Sequence, residues 1–178
     1  MKEFDEAKFR ELVLYIADKS AEDPRFGAVK LNKILYYSDF EAFRRLGESI
    51  TGATYRKLSE GPAPLQMLQQ RRVLLDSGAA KLVQRPYFTG TQHRIVAERR
   101  PQEELFCSSE LKIVDQVING MWHLTAREAS EFSHKELGWQ AAQMGEVIPY
   151  PTVWLNSGPI PQEAEEYAAE VAVRLGSR

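Results

Sequence analysis

One cysteine, three histidines and no excess of basic residues set the first limits on this 178-residue chain. A lone Cys107 excludes an internal disulfide framework and a multi-cysteine zinc site, and it fits a reducing compartment. Lysine and arginine total 23 against 25 acidic residues, a net charge of −2, which argues against a dedicated nucleic-acid binder. The pairs Arg44-Arg45, Arg71-Arg72 and Arg99-Arg100 are expected to be solvated faces rather than phosphate contacts. No apolar run approaches the roughly 18 residues that a membrane span requires. Met1–Glu6 (MKEFDE) is acidic, unlike the start of a secretory signal. Neither GxGxxG nor GxxxxGKS/T occurs, so there is no phosphate-cradling loop of those types. His93, His123 and His134 lack the short spacing of a metal-binding pair. These absences predict a soluble cytoplasmic protein that uses no metal and no cofactor.

What is present is an ordinary globular composition, 43% hydrophobic and 27% charged, enough for one domain over residues 1–178. Phe9, Leu12, Val13, Ile16 and Ala17 recur at helical spacing within Phe4–Ser20. Ala21–Phe26 is a turn. The next helix, Gly27–Leu46, places Leu31, Ile34, Leu35, Ser38, Ala42 and Leu46 on one face. Val29, Tyr36, Phe40 and Phe43 form a second apolar stripe. Only Lys30, Lys33, Tyr37, Glu41 and Arg44 are left as a narrow polar edge, so this helix is expected at the centre of the fold.

Gly47 should cap that helix in the left-handed conformation. Tyr55–Leu58 is a short strand and Glu60–Pro64 a tight turn. Leu65–Ser77 is a helix with Leu65, Leu68, Val73 and Leu75 as candidate core. Ala80–Gln84 and Gln92–Glu98 are strands joined by a loop over Arg85–Thr91. A helix begins at Ser108. A capping box at Thr125 and Glu128 opens another, which should stop near Gly138. Gly145–Pro161 holds four prolines and should be extended, followed by a helix over Gln162–Leu175. The expected class is α+β, mainly α-helical, with helices around a central buried helix and a small antiparallel hairpin or sheet.

Few residues carry chemistry. Asp39 points into an apolar sector of the central helix, where a carboxylate must be hydrogen-bonded or paired. It is either a catalytic acid or an anchor receiving bonds from a neighbouring loop. Cys107 and His134 would make a nucleophile and base, but no nucleophile signature surrounds either. Asp39, His134 and Trp139 are expected to form a structural cluster between the central helix and a later one.

Three segments resemble the Panacea domain, the SocA-like antitoxin family that includes phage-associated proteins of the GepA type. The first is Lys30–Gly47, KLNKILYYSDFEAFRRLG. The second is Ser49–Gly52 followed by Tyr55 and the Gly61-Pro62 turn. The third is Ala129–Lys135, ASEFSHK, with Gly138-Trp139 after it. Leu58, Ser59 and Glu60 stand where that family often has an aromatic residue and a histidine or lysine. The resemblance spans residues 30 to 139 and implies a bacterial, non-catalytic interaction domain that neutralises a protein toxin, generally one made from an adjacent gene, by binding it. Some relatives instead act as adaptors presenting the toxin to a protease. The remaining alternative is an enzyme using His134 with Asp39 or Cys107. The expected docking residues are Lys30, Lys33, Tyr37 and Arg44 on the polar edge, extended by Gly61 and Pro62 and by the proline-rich segment.

Overall fold

A computed structural model describes residues 2–87 and 90–156. The expected terminal helix over Gln162–Leu175 lies outside them. Helix α1 (Glu6–Lys19) starts at Asp5, whose carboxylate accepts the Lys8 amide at 2.9 Å. Its Phe9, Leu12, Val13, Ile16 and Ala17 are all buried, so the helical period of the sequence marks a true core face. Helix α2 (Ala28–Leu46) ends at Gly47, which takes φ 77° as a left-handed cap. It packs on α1 and on half of the elements that follow it, which makes it the axis of the core.

Strands β1 (Tyr55–Leu58) and β2 (Gly61–Pro64) form an antiparallel pair, with Lys57 opposite Pro62. The expected tight turn over Glu60–Pro64 is therefore mostly a strand. Two prolines can occupy it because a two-stranded ribbon leaves one side of each strand without ladder bonds. Helix α3 (Met67–Asp76) starts later than expected, and its inward face is also different. Met67, Gln70 and Leu74 are buried, whereas Leu65, Leu68 and Val73 are exposed.

Strands β3 (Ala80–Tyr87) and β4 (Gly90–Ala97) make a second antiparallel hairpin, paired as far as Tyr87 with Gly90. It is longer than the sequence suggests, and most of the expected Arg85–Thr91 loop belongs to its strands. Helix α4 (Ser108–Met121) begins where expected, behind a short 3-10 turn at Glu103–Leu105. Helix α5 (Ala126–Ser133) opens on the Thr125–Glu128 capping box and stops before Gly138. Gly138 sits instead within a further short helix, α6 (Leu137–Ala141).

The proline-rich segment splits into two parts. Residues 145–148 run along β1, with the Ile148 amide donating to the Tyr55 carbonyl at 2.8 Å. The chain then turns into a 3-10 helix over Tyr150–Asn156, which corrects the expectation of a wholly extended segment. That helix places Tyr150 and Trp154 against Phe43, with ring centroids 5.4 and 5.2 Å away. The observed architecture is a mainly helical α+β fold with two small antiparallel sheets. Among the described residues no helix is long and apolar enough to cross a membrane.

Candidate functional site

The polar edge of α2 is two different environments. Its N-terminal half is closed. Lys30 and Lys33 are each 1% exposed, so neither is part of a solvated strip. The Lys30 ammonium pairs with the Asp23 carboxylate and donates to the Trp122 carbonyl at 3.0 Å. Asp23 lies in the turn joining α1 to α2, and Arg94 of β4 clamps that turn by donating to the carbonyls of Ser20, Ala21 and Asp23.

Lys33 reaches the other way and donates to the Pro62 carbonyl at 3.1 Å. Burial pulls its ammonium down to about 7, with the charge of Glu60 opposing the shift. Ser130 of α5 donates to the Glu60 carbonyl at 2.8 Å, so the bend before β2 is held from α5 as well as from α2. Gly61 sits between them at φ 96°. A Cβ there would lie 2.3 Å from Ser133 Oγ and 2.6 Å from Lys33 Cε. Only glycine fits this position. Gly61 and Pro62 are themselves buried. Four of the six expected docking residues are therefore interior supports, because the chain folds back over the lysines and supplies carbonyl oxygens to them.

The C-terminal half of the edge is open. The Tyr37 hydroxyl donates to Glu136 at 3.3 Å, and its ring lies 5.6 Å from that of Phe132. Burial, with the nearby Glu136 charge, holds this phenol above its ordinary value. Arg44 forks onto Glu41, at 2.6 Å from Nη2 and 3.1 Å from Nε. A depression of about 380 Å³ lies between them, walled by Phe40, Glu136 and Val153. Phe132, 49% exposed, stands beside Tyr37, and Leu137, 45% exposed, follows Glu136 in the chain.

Asp39 is fully buried, and its partners come from the loop after α2 and from the first residue of β1. Its carboxylate accepts the Thr51 amide at 2.8 Å, the Thr51 hydroxyl at 2.6 Å and the Tyr55 hydroxyl at 2.7 Å. Burial holds its carboxyl above the ordinary value, and these donors offset only part of the rise. The expected cluster with His134 and Trp139 does not form at Asp39. His134 instead stacks on Trp139, centroids 4.0 Å apart and planes at 16°, and Lys57 sits 4.0 Å over the same indole. Thr51 and Tyr55 supply the donors to Asp39 instead.

The residues of the enzyme alternative are dispersed. Cys107 is exposed at the cap of α4, where its amide donates to Glu110 at 2.9 Å. His134 has Ser130 as its polar neighbour, at 3.4 Å. Among the described residues there is no group of three or more histidine, cysteine, aspartate or glutamate side chains able to hold a metal ion.

Sequence reasoning missed the Asp23–Lys30 pair and the Lys33–Pro62 contact. The signal was available: a helix apolar around most of its circumference leaves little sector for solvent, so two lysines one turn apart in it must find internal partners.

Fold and site together define a small α+β domain built around one buried helix whose open end presents a mixed polar and aromatic surface. The family model described as antitoxin SocA-like, Panacea domain, matches residues 31–140. That is more than half of the chain, which belongs to this family. Nothing matches it among curated proteins or among solved structures.

Proposed function

We propose that this domain is an antitoxin that neutralises a protein toxin by stoichiometric binding, without turnover. Membership of the antitoxin-like family over residues 31–140 is the observation that carries the reading. The family suggests a non-enzymatic role and a protein partner. The toxin docks on the open end of the α2 edge, where Tyr37 and Arg44 face the depression and Phe132 and Leu137 extend it. Tyrosine and arginine are enriched at interface hot spots because one offers rigid area and the other a planar donor. Lys30, Lys33, Gly61 and Pro62 serve this surface from beneath, by fixing α2 against β2 and α5.

The experiment is co-expression with the product of the adjacent gene. Growth is restored and a complex co-purifies if the reading is right. A variant carrying Arg44→Glu and Phe132→Glu keeps its melting temperature and loses both. Rescue by that variant at the parental level would move the surface elsewhere. A His134→Ala protein that folds and binds but fails to protect would overturn the non-enzymatic reading.

A further inference from the structure

A second groove lies on the opposite flank of α2, between the two hairpins and α3. Its volume is about 200 Å³, and Leu31, Leu58, Ala63, Met67 and Ile95 contribute to its lining. Leu65, Leu68 and Leu82 stand around it at 51%, 66% and 37% exposure. Three leucines this open around one concavity are an apolar patch of the kind that marks a contact surface. The volume is below the range of small-molecule pockets, roughly 300–1,000 Å³, and suits one or two anchoring side chains.

The charge of this groove is of one sign. Arg56 and Arg71 line it, together with His93, and no acidic residue does. Neither arginine has an ion-pair partner among the described residues, whereas Arg72 beside them pairs with Asp76 at 3.6 Å. Two other depressions differ. One, of about 970 Å³, sets Arg25 and Arg127 against Glu60 and Glu131. At the Tyr37 depression Arg44 is already matched to Glu41. A chain of net charge −2 thus keeps two uncommitted cations beside its exposed leucines.

We infer that this groove is a docking site for an acidic amphipathic segment of another protein. Its apolar side chains enter between Leu65, Leu68 and Leu82, and its carboxylates meet Arg56 and Arg71. Arginine suits this task because its planar fork matches a carboxylate in two hydrogen bonds. The inference is independent of the Tyr37–Arg44 surface and stands if that surface fails.

The test uses the full chain and a fluorescein-labelled 15-residue peptide of leucine at helical spacing with glutamate elsewhere. A second peptide has lysine in place of glutamate. The acidic peptide should bind saturably, at least tenfold tighter than the basic one, and should weaken as salt rises. Arg56→Glu with Arg71→Glu should reverse that preference, and Leu68→Glu should weaken the acidic peptide at least tenfold, each at an unchanged melting temperature. Equal binding of the two peptides, binding of neither, or no effect of these variants overturns the proposal. So does a photo-crosslinker at position 68 that captures residues 157–178 of its own chain, or a dimer in solution that Leu68→Glu dissolves. In those two cases the groove is filled by the chain itself or by a second copy.

Discussion

Asp39 and Lys33 are two buried charges on one helix, six residues apart, and they are treated very differently. Asp39 receives three hydrogen bonds from two residues of the segment that follows α2. Lys33 can donate three and makes one to Pro62, a partner that becomes a neighbour only through tertiary folding. The carboxylate is a knot that ties a loop to its helix. The lysine is held in place by the packing of β2 and α5 around it, and burial moves it toward the neutral form. A buried charge with a full set of partners organises the chain, while one with a single partner is itself the adjustable element.

The largest effect should come from untying the knot. Asp39→Ala leaves the Thr51 amide and two hydroxyls without an acceptor in the interior. At about 1–3 kcal/mol for each unsatisfied group, partly relieved by relaxation, the cost should be about 3–5 kcal/mol. Urea unfolding measures it, and a loss under about 1 kcal/mol would mean that the loop is held by other contacts.

Gly61→Ala probes the lysine side. The new methyl meets Ser133 and Lys33 at a positive φ, so about 2–3 kcal/mol should be lost. A neutral outcome would show that the Lys33 site has slack.

The pH dependence sharpens the contrast. Lys33 is near 7 when folded and near its ordinary 10.5 when unfolded. Between those values the unfolded chain binds the extra proton, so stability attributable to this group rises with pH, by up to about 1.4 kcal/mol per unit. Below about pH 7 both states are protonated and the slope vanishes. Lys33→Met should remove the rise measured from pH 7 to 9 and increase stability at neutral pH. An unchanged slope would assign the rise to other groups.

Arg44, on the same helix but exposed, is the control. Arg44→Glu should change stability by less than about 1 kcal/mol, as expected of a surface ion pair, while weakening binding of the partner. A large loss on thermal melting would make Arg44 a structural residue and remove it from the docking surface.

Only the Asp39 side of this contrast was legible before the structure. The angle of Asp39 on α2 placed a carboxylate in an apolar sector, and an anchor to a neighbouring loop was one of the two roles that the need to satisfy it left open. The choice of Thr51 and Tyr55 over His134 and Trp139 was not legible, because donors at many distances along the chain satisfy the same requirement equally well. The burial of Lys30 and Lys33 was missed because residue type alone assigns lysine to solvent. In α3 the helical period allowed more than one inward face, and only contact with α1 and β3 selected Met67, Gln70 and Leu74. This left Leu65 and Leu68 outside.

The sequence by itself determined the elements whose signals are local. These include the period of α1 and α2, the left-handed glycine at Gly47, the capping box at Thr125 and the central place of a helix with almost no polar face. Its order of motifs also determined the family. Tertiary structure alone decided which polar groups meet. It brought Pro62 to Lys33, Asp23 to Lys30 and Arg94 to the turn after α1, and it made a strand of a segment with two prolines. The physical reason is range: a helix cap or an apolar stripe is satisfied within a few residues, whereas a buried charge is satisfied by whichever backbone the finished fold carries past it.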